Sequence, residues 1–175
     1  SFTDRTVTTP PSLHKFLIYG QSNGGSIDYD GTSIHLQGND LVNAQLLSNN
    51  NATSFEFKSN SATTPFYGVS FESENGIILD NFSFRGITGV EFRKIDEDFL
   101  KAVQSANHYD LIVMQYGVNL LFRPNDTDYS YYTKNMTPVL EKFITSFPNT
   151  DILLVSSADR AFRYNGEYQT AKGLP

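Results

Sequence analysis

Along this chain the spacing of apolar residues changes once. From Lys15 to Phe71 they come in short runs of period two, broken by Gly, Asn, Asp and Ser. Phe16–Tyr19, Ser26–Tyr29, Ser33–Leu36, Ser54–Lys58 and Tyr67–Glu72 read as strands. Asp30-Gly31, between two such runs, is a hairpin signal. Strands at roughly ten-residue spacing with turns between them predict an antiparallel, sandwich-like segment. Asn49–Thr53 reads as a polar loop.

From Gly76 onward the period lengthens. Ile77-Ile-Leu79 predicts a short buried strand, and Phe92, Ile95, Phe99, Val103 and Ala106 form one helical stripe. Leu111–Met114 is a continuous apolar run, expected to be a strand buried on both faces. Tyr132, Met136, Val139, Phe143 and Phe147 form a second stripe, with Pro138 either kinking that helix or marking its start. Asp151–Val155 is the next strand, and Asn165–Pro175 reads as loop. This order predicts parallel crossovers with helices covering a sheet. The expected fold class is α/β, a partial three-layer doubly wound parallel sheet preceded by the β-rich segment. The domains are a lead-in over 1–14, the sandwich-like segment over 15–75 and the α/β part over 76–175. Three strands are few for such a domain, and the chain reads as an internal piece of a longer one.

Charge and composition narrow the chemistry. The formal charge of −6 argues against a nucleic-acid partner, whose affinity comes chiefly from Lys and Arg on phosphate. No apolar run is long enough to span a bilayer. Cysteine is absent and the histidines are His14, His35 and His108, so no metal site or cofactor is expected. Four Asn-x-Ser/Thr sequons, at Asn51, Asn81, Asn125 and Asn135, read as coincidence in an Asn-rich chain. Glu72 with Glu74, and Asp96 with Glu97 and Asp98, read as solvated clusters rather than acid–base pairs.

Three strand ends carry candidate chemistry, since open α/β sheets place their sites there. The first is the loop Asp80–Gly89, whose glycines allow close backbone approach and could present the Gly89 N–H to an anion. The second is Gly117-Val118-Asn119, which is ordinary turn composition or a side-chain donor for a developing oxyanion. The third is Ser156–Asp159, a helix cap, a surface loop or a site element.

An apolar strand ending in Gly-x-Asn, preceded by a loop ending Ile87-Thr88-Gly89, resembles two conserved blocks of the SGNH (GDSL-type) hydrolases. Tyr67–Glu72, Gly76–Asn81, Phe84–Gly89 and Ile152–Asp159 look like a Bacteroidetes-type subgroup with a β-rich insertion between the nucleophile block and the second block. The resemblance covers about Gly68 to Gly173, and Lys15 to Phe66 more loosely. It implies an SGNH/flavodoxin-like sheet and an acylesterase, acting on O-acyl groups of carbohydrates. Gly89 and Asn119 would be its oxyanion donors. A small-molecule or glycan ester would be the substrate, and placement would be secreted or periplasmic. The family's late Asp-x-x-His occurs nowhere in this sequence. Gly20-Gln-Ser-Asn23 resembles the nucleophile block of some acetylesterases in the superfamily, which would make Ser22 the nucleophile. Gly24, Gly25 and the hairpin that follows oppose the helix such a serine needs, and favour a loop between sandwich strands. The nucleophile and the His–Asp pair would then lie outside this chain. The alternative reading is a non-catalytic carbohydrate-binding sandwich, offering Tyr19, Tyr29, Phe66 or Tyr67 to a sugar face. An unpaired sheet edge in either case invites self-association.

Overall fold

In a computed structural model of the chain, residues 2–3, 13–50, 52, 54–73, 75–121, 127–158 and 160–170 are described. The chain divides into two units, Ser1–Asn81 and Phe82–Pro175.

The first unit is built on β2 (Leu13–Tyr19), in which Lys15, Leu17 and Tyr19 are buried. β2 is the middle strand of an antiparallel sheet between β5 (Asn43–Asn50) and β8 (Phe66–Ser73). A second antiparallel sheet has the order β4 (Thr32–His35), β3 (Ser26–Tyr29), β7 (Phe57–Ser59). Leu17 and Tyr19 of one sheet and Ile27 and Tyr29 of the other are buried in a common core, so the unit is a sandwich. Two further short strands, β1 (Phe2–Thr3) and β6 (Ser54–Phe55), pair antiparallel. The rest of the lead-in expected over 1–14, up to Ser12, lies outside the described residues, and β2 already begins at Leu13. Asp30 (φ 47°) and Gly31 (φ 79°) form the β3–β4 turn, the left-handed pair that matches the twist of a two-residue hairpin.

The eight-residue β5 corrects the polar-loop reading of Asn49 and Asn50. Asn disfavours strands in isolation, but here tertiary pairing overrides propensity. Asn50 accepts from the fully buried Lys15 ammonium through both its carbonyl oxygen (3.0 Å) and its Oδ1 (2.8 Å). Burial pushes the Lys15 pKa down, opposed by the charge of Asp30. A second correction concerns Ile77-Ile-Leu79, which forms no strand and is exposed, Ile77 at 98% and Leu79 at 88%. Three apolar residues specify a strand only where a sheet edge receives them, and among the described residues none pairs with these.

The second unit holds one parallel pair, β9 (Leu111–Gln115) beside β10 (Asp151–Val155), in the register Leu111↔Asp151 to Gln115↔Val155. Helix α1 (Glu97–Asn107) precedes β9, and α2 (Ser130–Ser146) connects it to β10. The first helical stripe is split. Val90–Lys94 is a 3₁₀ turn, and Asp96 begins α1 by accepting the Asp98 N–H at 2.8 Å. His108 ends α1 with φ 52°, its N–H on the Gln104 carbonyl. Pro138 lies inside α2, whose start is eight residues earlier at Ser130. Leu100, Met136, Val139, Phe143 and Phe147 pack with Met114, Ile112 and Ile152, so both helices cover the same sheet face. The other face carries Leu111, Val113, Leu153 and Val155, all exposed, and the expectation of burial on both faces is corrected. Among the described residues this unit has two layers. Its last element also corrects the loop reading: β11 (Ala161–Tyr164) and β12 (Glu167–Thr170) form a hairpin around Asn165-Gly166, with residues 171–175 outside the described set.

Ser146 Oγ, in the last turn of α2, is buried and has no hydrogen-bond partner among the described residues. A buried hydroxyl without a partner is destabilising, and Ala is the better helix former. Ser146→Ala should therefore raise the unfolding free energy by about 1 kcal/mol, read from urea denaturation.

Candidate functional site

Parallel pairing places the loops after β9 and β10 side by side, at the carboxyl ends of their strands. After β9 the chain passes Tyr116 and Gly117 into a 3₁₀ turn, Val118–Leu120, closed by the Leu120 N–H on the Gly117 carbonyl at 2.8 Å. Leu120 and Leu121 are buried and anchor the turn, with Asn119 half-buried beside them. The Asn119 Nδ2 donates to the Ile87 carbonyl at 2.8 Å. That bond brings the Gly-x-Asn turn and the loop ending at Gly89 together.

Two other side chains hold the same loop. The Tyr132 hydroxyl, from the first turn of α2, donates to the Thr88 carbonyl at 2.9 Å. Glu91 Oε2 accepts from the Thr88 N–H at 2.9 Å and from its hydroxyl at 3.0 Å. Desolvation acts to raise the Glu91 pKa, but bonds from the backbone N–H groups of Glu91, Thr88 and Gly89 and from the Thr88 hydroxyl together hold it below the ordinary value. The two bonds from Thr88 hold the Glu91 carboxylate beside the turn at Gly89. Burial pushes the Tyr116 and Tyr132 phenols up, and the Glu91 charge adds to the effect in both.

Gly89 has φ 95° and heads the 3₁₀ turn Val90–Lys94. A Cβ there would stand 2.9 Å from Tyr116 Cγ, in a ring that packs edge-on to Phe92. The third strand end joins through Arg160, whose Nη1 donates to the Val118 carbonyl at 3.1 Å, and through Gln115 Nε2 on the Ser156 carbonyl at 3.4 Å. A Cβ at Gly117 would lie 3.1 Å from Ser157 Cβ. Asp159 lies outside the described residues.

Ser22 belongs to the first unit. It lies in the loop between β2 and β3 and is 6% exposed, with its N–H on the Gly38 carbonyl and its own carbonyl accepting from Gly25 and from Thr64 Oγ1 at 2.7 Å. The next element is β3, so no helix N-terminus stands behind this serine. His14 packs edge-on to Phe16, His35 lies on exposed β4, and His108 sits at the amino end of β9. Of the four aromatics considered for sugar stacking, Tyr19 and Tyr29 are core, Phe66 packs against that core, and Tyr67 is 47% exposed. This corrects the stacking role for the first three, because their rings fill the space between the sheets. A groove of about 290 Å³ lies in the first unit, lined in part by Phe71, Glu72, Ile77 and Asp80. It reaches the first residue of the Asp80–Gly89 loop but none of the residues Ile87–Gly89 or Gly117–Asn119.

Tyr132, Glu91, Tyr116 and Arg160 were not singled out from sequence. Thr88-x-x-Glu91 has the spacing of a capping box and was the one available signal. Tyr132 was hidden in a stripe that reads as core.

No protein-family model matches the chain, and no curated protein sequence matches it. Among solved structures, it is similar to a peptidoglycan O-acetylesterase, with a TM-score of 0.54 and 16% sequence identity. The match covers 83% of this chain and 41% of the other, so this chain spans less than half the length of that protein. At this identity the likeness is one of fold.

Two outcomes follow from the geometry. Gly89 and Gly86 both have positive φ, 95° and 88°, but a Cβ at Gly86 meets nothing within 4 Å. Ala at either position meets the left-handed penalty of roughly 1–2 kcal/mol, and only Gly89→Ala adds the Tyr116 clash. Gly89→Ala should thus be the less stable of the two by about 1 kcal/mol or more in urea denaturation. Because the folded Glu91 pKa is depressed, its contribution is present above the ordinary glutamate range and lost as pH falls through the folded value. Glu91→Gln should be less stable than the parent at neutral pH, with the gap closing in acid. A gap that stayed constant with pH would show that these bonds do not depend on the charge.

Proposed function

We propose that this chain is part of an SGNH/GDSL-type ester hydrolase acting on O-acyl groups of carbohydrates. The observation that carries the reading is the Asn119 Nδ2 bond to the Ile87 carbonyl at 2.8 Å. It sets a side-chain amide beside a glycine turn at the carboxyl ends of parallel strands, the place and the donor types that acyl transfer uses. The second N–H of the Asn119 amide and the Gly89 N–H are the assigned oxyanion donors. The fold likeness to an enzyme that removes acetyl groups from peptidoglycan supports the same chemistry. On this reading residues 15–75 are the inserted β-rich segment, and 76–175 are part of a three-layer doubly wound sheet. Further strands would add at the edges of β9 and β10 that have no partner among the described residues, and a second copy of the chain could use the same edges. The nucleophile and its His–Asp partners lie outside this chain. The alternative, a glycan-binding sandwich, keeps Tyr67 alone of its four proposed rings.

The test is hydrolysis of 4-nitrophenyl acetate and of O-acetylated glycans by the chain alone and by the polypeptide extended at both ends. The chain alone should show no turnover above background. In the extended, active form Asn119→Ala should lower kcat by ~10²–10³ with KM little changed. Robust turnover by the chain alone, abolished by Ser22→Ala, would overturn the nucleophile assignment. Unchanged kcat in Asn119→Ala would overturn the oxyanion assignment.

A further inference from the structure

The hairpin β11–β12 leaves the third loop of the candidate site and has a fixed root there. Arg160, the residue before it, donates to the Val118 carbonyl, next to Asn119, and its guanidinium carbon stands 4.9 Å from the centre of the Phe162 ring. The register pairs Phe162 with Gln169 and Arg163 with Tyr168, so Arg163 and Tyr168 share the opposite face. Tyr168 is 76% exposed and Arg163 is exposed as well. In a chain of net charge −6, residues 160–170 carry two arginines against one acid, Glu167.

An exposed phenol ring beside an exposed guanidinium combines a flat apolar surface with a fork of donors shaped for a carboxylate. We propose that this hairpin grips an acidic glycan, a polymer whose sugars carry carboxylates, and presents it to the loops at Asn119. Tyr168 stacks on a pyranose face and Arg163 pairs with the carboxylate of the same or the next sugar. A directly opposite cross-strand pair holds the two groups about 5 Å apart at Cβ, which suits one sugar unit. The overall negative charge disfavours nucleic acid, and two arginines fall short of the basic cluster that holds a protein on an anionic membrane. The inference rests on the esterase reading and names its substrate as polymeric and anionic.

The experiment is isothermal titration of the chain with peptidoglycan glycan strands stripped of their stem peptides, which exposes the lactyl carboxylates. Chitohexaose serves as the neutral comparison, and phosphatidylglycerol vesicles as the alternative anion. The stripped strands should bind about tenfold more tightly than chitohexaose, and Arg163→Ala should remove that advantage. Tyr168→Ala should weaken both sugars, while both variants keep the melting temperature of the parent. No binding by the parent, binding unaffected by either substitution, or binding to vesicles but not to strands would each overturn the proposal. Since no ester is cleaved in the titration, failure here leaves the Asn119 test standing, and failure of that test leaves a positive titration intact.

Discussion

The five-residue parallel register between β9 and β10 is the constraint on which the second unit hangs. Parallel strands point the same way, so the loops leaving them emerge together, and their polar backbone groups must find partners there. Gln115, at the end of β9, and Arg160, beyond β10, supply two of the links, each reaching to a carbonyl that follows the other strand. Asn119 supplies a third, to a loop that precedes both strands. Slipping β9 by one residue against β10 would turn Ile112 and Met114 away from the helices, and the same slip would shift these loops apart.

The turn Ile87–Gly89 illustrates how a short irregular segment is made definite. Its carbonyls at Ile87 and Thr88 receive side chains from two other elements, and its Thr88 amide receives Glu91 from the 3₁₀ turn that follows. The Glu91 carboxylate thus fixes Thr88 through both its amide and its hydroxyl, and with it the start of the 3₁₀ turn. The half-buried phenols of Tyr116 and Tyr132 are desolvated and sit in the field of that carboxylate, and both effects disfavour ionising them.

Much of this could be read from the residues, and the failures have physical causes. The strand Ser26–Tyr29, the Asp30-Gly31 hairpin and the strand Asp151–Val155 lie where period and turn chemistry put them. The strand Asn43–Asn50 was illegible because its stability comes from β2 and from the Lys15 ammonium, not from its own composition. Asn165-Gly166 is as clear a hairpin signal as Asp30-Gly31, and Phe162-Arg163-Tyr164 before it alternates as Ile27-Asp28-Tyr29 does, so this hairpin was legible locally although its second half reads as loop from composition. Asn119 and Gly89 stood out as candidates because strand ends followed by small residues are recognisable locally, and the structure brings their two turns together. Tyr132 and Arg160 were not, because what they do depends on which carbonyl the fold carries to them.

The open face of the β9–β10 pair bears on how firmly the site is held. Leu111 and Val113 are 52% and 55% exposed, and Leu153 and Val155 lie beside them. Full burial of such a side chain stabilises by roughly 1.5–3 kcal/mol, so four of them about half-covered leave on the order of 1 kcal/mol each unrealised. Parallel sheets are ordinarily covered on both faces, and a two-stranded one has little to resist twisting or fraying. The loops that carry Asn119 and Arg160 begin where these strands end, so any fraying at Gln115 or Val155 is passed directly to them. A second layer of helix on Leu111, Val113, Leu153 and Val155 would add hydrophobic stability without touching a single site residue. It would stiffen the turn at Asn119 all the same, because the position of Asn119 is inherited from the strand that precedes it.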